Sequence, residues 1–375
     1  MSDLHRPGLE NVIASETAIS YLDVEQEEIV IRGYDLIELA QKVTYLDIVG
    51  LLLEGVLPTL SERRDMEMRI QEAYGLPENI RSIIELLPEQ ANVMDSLRTG
   101  ISALASYELE LDDRSQEAND RKAIRLLAKV PQIAAYAYRS KMKQPFIEPD
   151  MDLSYSANFL YMITGQIPTQ LEEDIFDQSL IVYSEHEMPN STFAARVIAS
   201  TQSDLYGALT GAVASLKGTL HGGANEAVMM MLLEAGSEEK LEAHMLSKLH
   251  KRERIMGFGH RVYMNKADPR ALLMKKALAE LAIIKKRPEL YNMCVLGEEV
   301  MLREKNLHPN LDYYAAPVYY LLGIPIDLFT PVFFAARTVG ISAHVIEQHN
   351  HNRLFRPRVH YTGPRDLHPA VSESH

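Results

Sequence analysis

The chain has 375 residues, 46% of them apolar, with a formal charge of −14 and a single cysteine, Cys294. The length exceeds what one compact core usually holds, so two closely packed lobes are expected, and a lone cysteine excludes an intramolecular disulfide and points to a reducing, cytoplasmic setting. The acidic balance repels nucleic-acid backbones and argues against a nucleic-acid partner.

Met1 to Glu16 is polar and mixed, without the apolar run of a secretory leader. Ile19 and Leu22, a Glu-rich turn and Ile29-Val30-Ile31 predict a small hairpin over 18–32. From Asp35 onward apolar residues recur at three and four, the helical period. Helices are expected over 45–53, 61–74, 78–87, 95–107, 117–140, 153–164, 171–184, 191–201, 204–216, 225–235, 238–250, 269–284, 289–305, 313–322 and 331–349. The fold class is therefore all-α, mainly helical with one N-terminal hairpin. Gly or Pro marks the breaks, and hinges between lobes are expected at 218–223 and 323–325. The most apolar stretch, 319–346, is interrupted by Pro325, Asp327, Pro331 and Arg337, so no membrane span is expected.

Three segments are suited to chemistry. In the first, His221-Gly222-Gly223 precedes an apolar helix; the glycines admit a ligand close to the backbone, and a helix N-terminus disfavours imidazolium. The second, Gly257-Phe258-Gly259-His260, again sets a histidine beside glycines, without the Lys-Ser/Thr ending of a phosphate loop. In the third, Asp312 opens a very apolar helix, where burial would raise its pKa and strengthen it as a base. Each has a structural reading too. An Asp ahead of a helix is more often an N-cap than a base, and a lone His near Gly is more often a satisfied structural residue.

His186, between Glu185 and Glu187, lacks the spacing of a zinc motif, as do His344, Glu347, His349 and His351; no metal site is expected, and His349 and His351 read as a solvated helix end. A basic stretch from Lys248 to Lys276, including Lys251, Arg252, Arg254, Arg261, Lys266 and Arg270, surrounds His260 and suits a small polyanion. Further cations follow at Arg337, Arg353, Arg356 and Arg358.

Taken together, Gly218-Thr219-Leu220-His221-Gly222-Gly223-Ala224-Asn225, Gly257-Phe258-Gly259-His260 with Asp268-Pro269-Arg270, Asn310-Leu311-Asp312 and Arg356-Pro357-Arg358 resemble the citrate synthase family, in order and spacing across nearly the whole chain. The segments 184–193 and 313–320 look most like the 2-methylcitrate synthases of the Bacillus kind. The resemblance implies a two-lobed homodimer, with residues 1–222 and 324–375 in a large lobe and 223–323 in a small one. It implies His221, His260 and Asp312 as catalytic residues. It also implies oxaloacetate binding by His186, Arg270 and Arg337, with Arg356 reaching the partner subunit's site. Ile255, Met256, Gly257, Phe258 and Gly259 match the loop that receives CoA. The stretch from His260 to Arg270 is one residue longer than in many members, which leaves Lys266 and the CoA-phosphate contacts without a counterpart.

The implied reaction joins a short acyl-CoA to oxaloacetate without a cofactor. Asp312 takes the α-proton, His221 donates to the thioester oxygen, and His260 donates to the ketone. One methylene is worth only about 1–3 kcal/mol in a pocket, so propionyl-CoA and acetyl-CoA are both expected substrates. A metal-dependent hydrolase lacks a ligand set. A non-catalytic helical binding protein would explain the periodicity but not three chemically apt sites.

Overall fold

The computed structural model describes residues 6–9, 12–219, 221–260, 263 and 266–369; Leu220 and Arg261 of the segments above lie outside them. The chain opens with a three-stranded antiparallel sheet rather than a hairpin alone. Strand β1 (Ser20–Asp23) pairs with β2 (Glu28–Ile31), with Ser20 opposite Ile31, and β3 (Tyr34–Asp35) adds to the far edge of β2. The turn between the first two is built by the Asp23 carboxylate, which accepts the N–H groups of Glu25 and Gln26. Ile19, Ile29 and Ile31 alternate onto the buried face.

Helices follow without further strands among the described residues. The first, α1 (Leu36–Lys42), is only seven residues long, too short for periodicity to announce it, and is started by the Asp35 side chain on the Glu38 N–H. The others match the expected segments one to one: α2 (Tyr45–Glu54), α3 (Leu60–Glu72), α4 (Glu78–Glu85), α5 (Val93–Leu104), α6 (Gln116–Lys141), α7 (Tyr155–Thr164), α8 (Gln170–Tyr183), α9 (Asn190–Ala199), α10 (Leu205–Leu216), α11 (Ala224–Ala235), α12 (Glu238–His250), α13 (Pro269–Ile284), α14 (Pro288–Lys305), α15 (Leu311–Leu321) and α16 (Phe329–Asn350). Their starts are chemically marked. Thr59 and Thr169 form capping boxes with Glu62 and Glu172, and Asp268 and Asn310 cap α13 and α15. Pro331 does not open α16 as expected but sits in its first turn, where a missing N–H removes no helical hydrogen bond.

The two longest helices, α6 and α16, pack on each other, and α16 also touches α2, α8, α9 and α10. By length and composition 326–350 could cross a bilayer, yet 94% of its most apolar window is buried inside the protein, as befits a core helix. A second group forms where α13 and α11 pack on α15 and α12 packs on α14. Ion pairs join this group to the rest of the chain: Lys266 to Glu27 at 3.0 Å, and Lys285 to Glu172.

One glycine sets how closely α16 approaches the end of α8. A Cβ on Gly340 would lie 2.3 Å from Oε2 of Glu185 and 2.4 Å from the Ser184 carbonyl oxygen, both fixed in the interior. Gly340→Ala is expected to destabilise the fold by about 1–3 kcal/mol, the usual cost of overpacking. Chemical denaturation of the two proteins side by side measures it; an unchanged midpoint would show that the junction can open without cost.

Candidate active site

The carboxylate of Asp312 is not a helix cap. Asn310 performs that task, its side chain accepting the Asp312 N–H at 3.1 Å, and Asp312 stands in the first turn of α15 with its side chain free to point elsewhere. Its Oδ1 accepts a 2.6 Å hydrogen bond from the hydroxyl of Tyr183, the last residue of α8. Burial raises the pKa of Asp312 above the ordinary carboxylate value; the Tyr183 bond and the Arg270 charge oppose that rise without cancelling it.

The loop 255–259 is fastened to the segment that launches this helix. Gly259 N–H donates to the His308 carbonyl at 2.8 Å, Asn310 N–H to the Gly257 carbonyl at 2.9 Å, and the Asn310 amide to the Gly259 carbonyl at 3.0 Å. Gly257 has φ +88°, and a Cβ there would strike Val228 at 2.6 Å and Tyr313 at 3.1 Å, so both its backbone and its neighbours require glycine. Phe258 is buried against the Tyr313 ring, with centroids 4.4 Å apart, and Ile255 is buried as well, while Met256 is only partly covered.

His221 stands three residues ahead of α11. Its Nε2 receives the backbone N–H of Ser191 at 3.1 Å and lies 2.9 Å from the Ser191 hydroxyl. A backbone N–H can only donate, so Nε2 is the acceptor and the ring proton is on Nδ1. The pKa falls to about 4, through burial first and the Arg337 charge second. The neutral ring expected from the helix terminus thus has a stronger cause in its surroundings. His260 is neutral for similar reasons. Its Nε2 is 3.1 Å from Nη2 of Arg270, a group that cannot accept, and burial with that nearby charge lowers its pKa to about 4. His186 meets His260 edge-on at 5.1 Å, and its pKa is held well below the ordinary value by burial and by Arg270 and Arg337. The Nε2 of His186 is buried without a hydrogen-bond partner among the described residues.

Two buried arginines complete the cluster. Arg270 grips Asp268 with Nε at 3.0 Å and Nη2 at 2.8 Å. Arg337 donates from Nε to the Tyr183 carbonyl at 2.5 Å and lies over the Phe333 ring at 4.8 Å. Burial lowers its pKa to about 10. The Arg337 charge acts on His186, His221 and Asp312 alike, so residues from four parts of the sequence share one electrostatic environment.

Arg356 stands apart. It is exposed, its guanidinium bonded to the neighbouring Pro357 carbonyl, while Phe355 before it packs on Phe193 of α9. In the basic stretch, Lys248, Lys266, Arg270 and Lys275 have acidic partners, whereas Lys251, Arg252 and Arg254, just ahead of Ile255, are exposed and form no ion pair among the described residues. His349 is not solvated as expected: it is wedged between Asn119 at 3.1 Å and the Ser203 carbonyl at 2.9 Å, whereas His351 is exposed. No group of three or more His, Cys, Asp or Glu among the described residues is arranged to hold a metal ion. Sequence reasoning missed Tyr183 and the part played by the Ser191 backbone: Tyr183 lies just outside the 184–193 segment, Ser191 acts through its backbone rather than its side chain, and both reach across long stretches of chain.

Comparison with known proteins relates the whole chain to one family. The family model described as citrate synthase, C-terminal domain, matches residues 8–358. The citrate/2-methylcitrate synthase of Bacillus subtilis (strain 168) is 62% identical over 96% of this chain and 97% of its own length. The citrate synthase of Heyndrickxia coagulans is 59% identical over the same shares. Among solved structures, the ternary complex of Thermoplasma acidophilum citrate synthase with carboxymethyl coenzyme A and oxaloacetate superposes with a TM-score of 0.91 at 31% identity, covering 97% of this chain and 98% of that one. The chain belongs to the citrate synthase family.

The neutral histidines carry a consequence for stability. Folded, His221 and His260 titrate near 4 rather than at 6.5, so the unfolded chain takes up their protons first as the pH falls. Their contribution is therefore complete above pH 6.5 and is lost progressively toward 4. His221→Gln, which cannot titrate, is expected to make stability depend less steeply on pH across that window. Urea denaturation at several pH values tests this; parallel curves for the two proteins would mean that His221 titrates normally in the fold.

Proposed function

We propose that the protein condenses propionyl-CoA with oxaloacetate to give 2-methylcitrate and CoA, and that it also accepts acetyl-CoA. The observation that carries this reading is the meeting of a buried carboxylate with raised pKa, two neutral histidines and two buried arginines in one cluster. The 62% identical relative named for both activities supports the dual substrate range. The relative at 59% identity named only for citrate synthesis favours the second reading, acetyl-CoA as the main substrate.

The reaction begins at a carbon acid too weak for a free carboxylate, so the developing enolate has to be stabilised as it forms. Asp312 takes the α-proton while Nδ1–H of His221 donates to the thioester oxygen, its other nitrogen being held by Ser191. The enol carbon then attacks the oxaloacetate ketone. Once Arg270 turns from Nε2 to the substrate carboxylates, His260 takes the Nε2–H tautomer, its Nδ1 accepting the Tyr263 N–H, and donates from Nε2 to the ketone oxygen. Arg270, Arg337 and Nε2 of His186, which has no hydrogen-bond partner among the described residues, hold the two carboxylates and fix the face of attack. Water finally cleaves the thioester of the adduct, releasing CoA. No further cofactor enters this scheme.

In the same reading, residues 1–222 and 324–375 form a large lobe and 223–323 a small one, closing on the substrates about 218–223 and 323–325. Residues 255–259 receive CoA, with the unpaired cations Lys251, Arg252 and Arg254 beside them for its phosphates. The protein works as a homodimer in the cytoplasm, Arg356 completing the partner's site from its exposed position.

Asp312→Asn is expected to retain fold and oxaloacetate binding and to lose nearly all turnover. Near-normal solvent exchange of the acyl-CoA α-proton by this variant would remove Asp312 from the role of base. Mixed dimers of Asp312→Asn with Arg356→Ala are expected to recover part of the activity each parent lacks, because one site per dimer is then intact. Proven heterodimers without recovery would put Arg356 outside the neighbour's site.

For the acyl group, initial rates with propionyl-CoA and acetyl-CoA at saturating oxaloacetate are expected to show turnover of both. The ratio is expected within about a hundredfold, since one methylene separates the substrates. Brisk acetyl-CoA turnover with none for propionyl-CoA would leave an ordinary citrate synthase.

A further inference from the structure

Tyr183 ends helix α8 three residues before His186, and its ring is wholly buried against Phe333, at 4.8 Å between centroids, and Tyr319, at 6.2 Å. A core tyrosine usually satisfies its hydroxyl on a backbone carbonyl or water. This one donates to Oδ1 of Asp312 at 2.6 Å, and no other side chain bonds to that carboxylate among the described residues. The same residue's carbonyl accepts from Nε of Arg337. Beside the hydroxyl lies the Asn225 carboxamide.

We propose that Tyr183 is a positioning residue for the condensation: its O–H holds Oδ1 of Asp312 and so leaves Oδ2 as the one oxygen presented to the acyl-CoA α-carbon. This rests on the reading of Asp312 as the base. A carboxylate on a two-bond side chain turns readily, and a proton is transferred efficiently only along a lone pair aimed at the carbon. One short charge-assisted bond to Oδ1 fixes the plane of the group without covering Oδ2. It also keeps Asp312 ionised, because a donor to the charged form opposes the effect of burial. Tyr183 keeps its own proton throughout; the α-proton passes to Oδ2. The other groups facing the carboxylate act through charge: Arg270 and Asp268 from the start of α13, Arg337 from α16 and Tyr319 from α15.

Tyr183→Phe removes only the hydroxyl and keeps both the ring packing and the carbonyl that receives Arg337. The expected result is a fall in kcat of about tenfold or more, with the KM for oxaloacetate held within about twofold. Solvent exchange of the acyl-CoA α-proton falls in parallel, and the acid limb of the kcat–pH profile moves to higher pH. Replacing Tyr183 with a ring-fluorinated tyrosine makes the phenol a stronger donor in nearly the same volume; the acid limb then moves to lower pH. An acid limb unmoved in both variants would overturn the proposal, whether or not the phenylalanine variant is less stable, since a purely structural tyrosine would lower the amount of folded enzyme without moving the profile. Loss of condensation in Asp312→Asn with α-proton exchange retained would sink the base assignment itself, and this inference with it, independently of either Tyr183 variant.

Discussion

Asp268 is a fully buried carboxylate whose lone pairs are all occupied, and the geometry of the cluster depends on it. Its two oxygens take the backbone N–H, Nε and Nη2 of Arg270, and Oδ2 also takes the N–H of Leu311 at the head of α15. A buried charge is tolerable only when paired and hydrogen-bonded in this way. Because Leu311 directly precedes Asp312, one carboxylate fixes both the arginine proposed to hold substrate and the helix that carries the proposed base. The starts of α13 and α15 are therefore one rigid unit.

The charge balance around this unit is deliberately one-sided. Arg270 is neutralised by Asp268, and its pKa is raised despite burial, whereas the pKa of Arg337 is lowered by burial, the charge of nearby Glu185 compensating only in part. Glu185 is shared: it also accepts from His344 at 3.1 Å and from the Ser20 hydroxyl at 2.8 Å. The histidines add no positive charge, since each is held neutral. The result is a cluster that sets two buried arginines beside uncharged imidazoles, a balance that suits the doubly anionic substrate proposed above.

Much of this was legible in the sequence, for identifiable reasons. Helices such as α4 and α5 bury residues at helical spacing, so the period located them within a few residues. Strand β3 and helix α1 escaped because two and seven residues are too few to carry a period. His221 and His260 announced themselves because glycines stand beside each of them in sequence, and Asp312 because it opens a very apolar helix. Tyr183 had no such local sign: its partner is 129 residues away, and its helix looks like any apolar helix. Likewise the choice between cap and base at Asp312 could be made only once Asn310 was seen to take the cap. His349 was misjudged because its partners, Asn119 and Ser203, come from distant helices and loops that cover the last turn of α16.

The sheet at the beginning of the chain is fastened to the end of it. Ala18 N–H donates to Oε1 of Glu347 at 2.8 Å across a separation of 329 residues, and Ser20 reaches Glu185 across 165. Synthesis proceeds from the N-terminus, and loop closure over such distances comes late. A nascent chain therefore carries Glu185 and His186 without their cover until α16 has emerged from the ribosome. Helices α2 to α10 can collapse earlier, but the polar network behind the site closes only when the polypeptide is nearly complete, so a chain stopped short of Glu347 retains much of its core while lacking the backing of its chemistry.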